Sequence, residues 1–363
     1  MKRKFNHFYL SLLGGVLLTL GACSKNDDDT YVPPTIPENW GLYVLNEGNF
    51  GSTNSSIGLY NFANRTYETV FSNIGDTGND IGRYGNKLYV VVNGGSNAAS
   101  GKLLVYNIAN SQKIGEIPFE APRYIKFYKG KAYVTHGENG ISQLDTGATS
   151  SSLPAIAKTI GIGRTPEQLT IFKDKIYVAN SGALSQSGYD NRVSVINVGS
   201  FALDRNIEVA DNITSINADT VNNTLYVNAA AIYNSQGITS QSKLYAVNTS
   251  TDTKTPFTFG AEQMFIIGKA AVLISSNKIQ GRYNILYTND IQSQQFTDNA
   301  IVNQEIKQPY GITFVTDADL GVIAIGDADD YKANGKMFLY NGNFQLIEKI
   351  TAGIIPKKVA FKN

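Results

Sequence analysis

From about residue 40 onward, apolar and polar positions alternate in short runs separated by Gly, Asn, Asp, Ser and Thr. A period of two, rather than 3.6, is the signature of half-buried strands. Val, Ile, Tyr and Phe dominate the apolar positions, as pleated surfaces favour. Helical periodicity is almost absent, so the chain reads as all-β.

The alternation itself repeats. A small turn, an apolar-Tyr-Val strand and a polar loop recur as WGLYVLNEG, GNKLYVVVNGG, KGKAYVTHGENG, KDKIYVANSG and NNTLYVNAA. Their tyrosines, Tyr43, Tyr89, Tyr133, Tyr177 and Tyr226, are spaced by 46, 44, 44 and 49 residues. Degenerate copies follow near Val272 and Val322, making seven units. Each unit carries a further strand after a variable loop, such as GKLLVYNI or NRVSVINV, then another, such as QKIGEIPF. An earlier strand, such as PRYIKFY or PYGITFVT, precedes each Tyr-Val strand. Four strands per unit at this period predict a seven-bladed β-propeller of four-stranded blades. The repeated tyrosines are expected to pack between blades. The first unit starts with its second strand, whereas the C-terminus ends in an unmatched first strand. Lys358 to Phe361 is therefore expected to pair beside Gly41 to Leu45 and close the ring in the N-terminal blade.

The first 38 residues break the pattern. Lys2, Arg3 and Lys4 precede an apolar run from Phe8 to Leu20. That run is shorter than the roughly 20 residues of a membrane span and has the layout of a signal peptide, residues 1–22. Residues 23–38 are polar and Pro-rich, an extended tether. Residues 39–363 then form the propeller. The 31 basic and 30 acidic side chains give no basic excess for nucleic acid. Cys23 is the sole cysteine, so no disulfide staples the fold.

Blade topology puts the loops between second and third strands on one face with the blade connections. Those loops are long and decorated, whereas the opposite turns are tight, so the long-loop face is the expected binding face. Its candidate ligand residues are Asn46, Glu47, Phe50, Asn93, His136, Asn180, Tyr189, Tyr233, Arg282, Asp327 and Tyr331. The starts of the first strands add Arg83, Arg123, Tyr124, Glu167, Gln168 and Tyr310. Aromatic and amide groups suit a broad planar ligand, and equally a glycan, a peptide or a protein. Asn and Asp also serve local turn chemistry. His136 is the only histidine beyond the leader, too few for an imidazole-rich zinc site. The Asp327, Asp329 and Asp330 cluster lacks EF-hand spacing. Neither a G-x-S-x-G elbow nor a P-loop is present. A non-enzymatic binding module is the expectation, with a hydrolase assembled across the channel as a lesser alternative.

Two resemblances sharpen this reading. Leu20-Gly21-Ala22-Cys23 resembles the lipobox of bacterial lipoproteins, which implies cleavage before Cys23 and lipidation of its thiol. Each buried CH₂ of such a chain contributes roughly 0.8 kcal/mol of membrane affinity. Lys25 to Asp29 resembles the acidic export signal of Bacteroidota surface lipoproteins, implying an outer-membrane anchor facing the exterior. The propeller region resembles YncE-like seven-bladed surface lipoproteins, specifically the cobalamin-binding BtuG family. GLYVLNEGNFGSTNSSIGLYN, APRYI and GYDNRVSVIN carry that likeness. It implies cobalamin or another corrinoid as ligand, no built-in cofactor, and a TonB-dependent outer-membrane cobalamin transporter as partner.

Overall fold

The computed structural model describes residues 40–147, 149, 151–183, 185–277, 282–288, 290–298, 305–317, 320–342 and 344–362. The leader, Cys23 and the tether lie outside the described residues. Seven four-stranded antiparallel sheets form the blades, with strands a to d running outward from the channel. Blade 1 is Pro356–Phe361, Gly41–Asn46, Ser56–Asn61 and Thr66–Phe71. Blade 2 is Gly78–Tyr84, Lys87–Val92, Lys102–Asn107 and Gln112–Pro118. Blade 3 is Ile125–Tyr128, Lys131–His136, Gly140–Asp145 and Ala155–Gly161. Blade 4 is Pro166–Phe172, Lys175–Asn180, Arg192–Asn197 and Ala202–Glu208. Blade 5 is Ile213–Asp219, Thr224–Ala229, Lys243–Asn248 and Lys254–Pro256. A small hairpin, Ile232–Asn234 with Gly237–Ser240, rises from its b–c loop. Blade 6 is Gln263–Ile267, Ala270–Asn277, Arg282–Thr288 and Thr297–Asp298. Blade 7 is Pro309–Asp317, Leu320–Asp327, Asn334–Tyr340 and Leu346–Ile354.

The core lies between blades. Among the described residues, a separate apolar cluster fills each junction. Tyr43 and Leu45 of blade 1, for example, meet Ile81 and Leu88 of blade 2. Tyr43, Tyr89, Tyr133, Tyr177 and Tyr226 are all buried, as the repeat predicts. A strand with one face against each neighbour loses contact with water on both, which a lone sheet does not achieve.

The ring closes as expected. Leu42, Tyr43, Val44 and Leu45 pair with Phe361, Ala360, Val359 and Lys358. The join is also tight on its other side. A Cβ on Gly311 or Gly326 of blade 7 would stand 1.9 Å from the Lys357 or Pro356 carbonyl oxygen of blade 1. Glycine is required at both positions because the backbones approach so closely.

Each a strand bends where it starts. In blades 1, 2, 4, 5 and 7 the ladder register shifts there, at Lys357, Asn79, Glu167–Gln168, Thr214 and Tyr310. In blade 3, Arg123 and Tyr124 both bond to Thr135, and in blade 6 the Glu262 N–H reaches Ile274, which pairs with Gln263. Two residues thus face one, a β-bulge that re-aims side chains.

Several polar groups at the ends of b strands turn inward. Asn46 donates to Ser56 and Tyr67 hydroxyls and accepts from the Gly353 N–H. Asn93 donates to the Pro122 carbonyl at 3.2 Å, and Asn180 to the Arg192 carbonyl at 2.7 Å. His136 packs on Phe119 and its Nε2 lies 2.8 Å from the Ser142 hydroxyl, which contacts Thr159. Burial lowers the His136 pKa to about 4.

Two outcomes follow. Removing residues 356–363 deletes an entire inner strand, so the shortened chain is expected to lose its cooperative thermal transition by circular dichroism. A transition close to that of the intact protein would contradict closure by pairing. The second concerns acid. Unfolded histidine titrates near 6.5, so between there and about 4 the unfolded state binds more protons. The His136 contribution is full above that window and falls by up to about 3 kcal/mol as pH drops through it. The urea midpoint should therefore fall less between pH 7 and pH 4.5 in His136→Gln than in the wild type.

Candidate functional site

The bulges gather side chains from every blade at the long-loop end of the channel. Asn79, Arg123, Tyr124, Gln168, Thr214, Ser215, Gln263, Tyr310, Lys357 and Lys358 line a cavity of about 260 Å³ there, with Tyr331 at its lip. The signal was present in the sequence as PKKV, GNDI, PRYI, PEQL, ITSI, AEQM and PYGI. In each, two mouth residues precede the position whose side chain enters the core, or a glycine takes the second place, as at Gly311.

The mouth is held by charge pairs whose carboxylates stand behind their cations. Arg123 forms a two-pronged bond to Glu167, with both N–H···O distances 2.9 Å. Lys357 lies 2.6 Å from Glu47 and donates to Asn79, while the Tyr310 hydroxyl donates to Glu47 at 2.8 Å. Burial and Glu47 raise the Tyr310 pKa, so its phenol stays protonated and a donor. Lys358 lies 3.4 Å from Asp80 and stands over the Tyr124 ring. Tyr331 meets Tyr310 edge to face, with centroids 5.8 Å apart. It projects from the b–c loop of blade 7, where its carbonyl accepts from Asn49 of blade 1.

A second motif locks the blades together. The side-chain oxygens of Asp80, Gln168 and Gln263 accept the N–H groups of Ile125, Ile216 and Ile312, each on the next blade's inner strand. These N–H groups lie on the innermost edge, where no further strand exists to receive them.

Of the sequence candidates, Glu47, Arg123, Tyr124, Glu167, Gln168, Tyr310 and Tyr331 converge on this mouth. Phe50, Tyr189 and Tyr233 are exposed on b–c loops of blades 1, 4 and 5, at 73%, 37% and 46%. Arg282 begins strand c of blade 6 on the same face; its side chain lies outside what is described. The remaining placements are corrections. Arg83 pairs with Leu88 beside the a–b turn and donates to the Gly85 carbonyl, placing it on the opposite face. Asn46, Asn93 and Asn180 are buried with their amide N–H groups bonded within the fold, although the Asn180 Oδ1 has no hydrogen-bond partner among the described residues. Asp327 is 1% exposed and accepts the N–H groups of Lys307, Gln308 and Asp329, which makes it a loop brace. His136 faces Ser142, itself 0% exposed, so that Ser–His contact presents no accessible nucleophile. Asn79, Asp80, Glu262, Gln263, Lys357 and Lys358 are mouth or latch residues absent from the sequence candidates. Among the described residues no group of three or more His, Cys, Asp or Glu side chains is arranged to hold a metal ion.

A larger hollow, about 370 Å³, lies where blades 7 and 1 meet, between Tyr67, Thr69, Ser72, Asn334 and Thr351. It draws on two blades, whereas the mouth draws on all seven.

No family model and no curated protein matches the chain. Solved structures do. A provisionally named 6-phosphogluconolactonase from Bacteroides fragilis superposes with a TM-score of 0.61 at 10% identity, over 91% of this chain and 99% of its own. Hydrazine synthase of Kuenenia stuttgartiensis gives 0.58 at 13% identity, over 76% and 87%. A quinoprotein alcohol dehydrogenase-like protein from Bacteroides thetaiotaomicron gives 0.55 at 13%, over 90% and 79%. Names so different on one scaffold leave function to the site; what the likeness establishes is a seven-bladed β-propeller.

Proposed function

We propose that the protein is a ligand-binding propeller, anchored through Cys23 at the outer surface of an outer membrane, that captures cobalamin or a related corrinoid for a transporter. One observation carries the binding role: exposed Phe50, Tyr189 and Tyr233 share the long-loop face with the Tyr310–Tyr331 pair at the mouth. Aromatic surfaces held in water on one rim are what a broad ligand would cover. The lipobox and propeller likenesses in the sequence supply the anchor, the corrinoid and the TonB-dependent transporter. The cavity is smaller than the roughly 300–1,000 Å³ of pockets that engulf a ligand. A corrinoid would therefore lie across the rim, with its amides meeting Gln168, Arg123 and the mouth tyrosines.

A protein-docking role is the second reading, favoured by the blade 5 hairpin. Its strands pair only with each other, and Ile238 is 38% exposed. Such a ribbon offers backbone edges to a partner strand.

Isothermal titration of the purified protein with cyanocobalamin and cobinamide tests the first reading. Tight binding without turnover is expected. Tyr331→Ala should weaken it by about tenfold, in line with one lost aromatic contact. Lys129→Gln, on the opposite face, should leave it unchanged. An absence of corrinoid heat, with crosslinking to a membrane protein retained, would transfer the role to docking.

A further inference from the structure

Below the mouth, the channel holds a cation, Lys126, that forms no hydrogen bond or ion pair among the described residues. The residues opposite the repeated b-strand tyrosines define one tier of the inner wall. These are Ala360, Gly82, Lys126, Thr170 and Asn217, facing Tyr43, Tyr89, Tyr133, Tyr177 and Tyr226. Phe265 and Thr313 complete it from blades 6 and 7. Lys126 is the only charged residue of that tier.

The nearby carboxylates are engaged. Asp80 accepts the Ile125 N–H at 3.0 Å and faces Lys358. Glu167 is held by Arg123, and Glu47 by Lys357 and Tyr310. Glu262 belongs to the upper tier of blade 6, across the ring. Lys126 has neither a hydrogen-bond acceptor nor an ion-pair partner among the described residues. It is solvent-accessible, but the water is that of the channel. Desolvation there lowers its pKa, attraction to Asp80 opposes that shift in part, and Lys358 adds repulsion. Hydroxyl groups along the same wall are also uncommitted. Thr214, Ser215 and Thr313 each have a buried side-chain oxygen without a hydrogen-bond partner.

An ammonium and several hydroxyl donors, with no free carboxylate beside them, are complementary to an anion of several acceptor oxygens. We propose that the channel binds a small oxyanion at Lys126, with wall hydroxyls as additional donors. The site lies beneath the corrinoid surface proposed above and does not depend on it. It accepts either a free anion or an anionic group projecting from a larger ligand seated at the mouth.

The probe is inorganic phosphate, compared with chloride at matched ionic strength, on the purified full chain without corrinoid. Phosphate should raise the melting temperature saturably, and chloride should not. K126M and K126Q should weaken phosphate binding by roughly tenfold or more, as expected for loss of a charge-assisted contact. In phosphate-free buffer K126M should melt above the wild type, because a desolvated ammonium without an ion-pair partner among the described residues has been removed. Thr313→Val gives a milder second test, with weaker phosphate binding and an intact fold. Lys129→Gln should bind phosphate normally. Equal responses to phosphate and chloride, or undiminished phosphate binding by K126M or K126Q, would overturn the proposal. A group on a larger ligand is distinguished by competition: phosphate would then reduce affinity for that ligand in the wild type and not in K126Q.

Discussion

The innermost strand of every blade is an edge that cannot be paired further, and the fold is organised around that constraint. A sheet normally protects an edge by adding a strand, but seven edges meeting at one axis leave no room. Side chains supply what strands cannot. Asp80, Gln168 and Gln263 reach across to the next blade's N–H groups. The Asn79 and Gln263 amides donate in turn to the carbonyls of Arg123 and Tyr310. Closure extends the same logic to the termini, where the C-terminal strand becomes the inner edge of the first blade. Much of the polarity around the channel therefore serves the ring before it serves a ligand.

This explains which parts of the molecule were legible in the sequence. Burial on two faces forces a repeated apolar pattern, so the tyrosines and the seven units stand out. The unmatched strand at the C-terminus similarly dictated the pairing of Phe361 with Leu42. The site was harder to read because Asn has two uses with one appearance. Asn46 and Asn180 end strands on the correct face, yet their amides bond to neighbouring backbone and hydroxyl groups. Alternation identifies the end of a strand without revealing that choice. Arg83 failed for a different reason: it lies in the correct strand, but a few residues along an a strand carry the chain from the mouth to the opposite face. At the bulges the reading succeeded in part: Arg123, Tyr124, Glu167, Gln168 and Tyr310 were candidates, whereas Asn79, Gln263 and Lys357 escaped because an inserted residue breaks the period of two on which the reading relied.

The charge pairs at the mouth act through geometry more than through net stability. Removing two ions from water costs about what their attraction returns, whereas removing one partner leaves the other exposed to that cost, about 3–5 kcal/mol for a well-buried pair. Arg123 and Glu167 are 24% and 6% exposed, so the pair retains some water and its energetic role is correspondingly smaller. The bidentate contact joins blades 3 and 4. Lys357, Glu47 and Tyr310 likewise connect blades 1 and 7 at the closing seam. These pairs fix the positions of donors around the opening before any ligand arrives.

A pre-set mouth separates recognition into two physical tasks. The narrow opening is lined by groups already tied to one another, so a ligand entering it must replace existing hydrogen bonds. Phe50, Tyr189 and Tyr233 on the surrounding loops hold ring surface in water, and covering it would release that water. Under the proposed binding role, area would be gained on the rim and selectivity set at the axis. The distinction favours a ligand with a broad face and a few polar groups directed inward. It also explains why similarity in fold leaves the bound molecule undetermined: the ring and its latches can persist while the outer loops change.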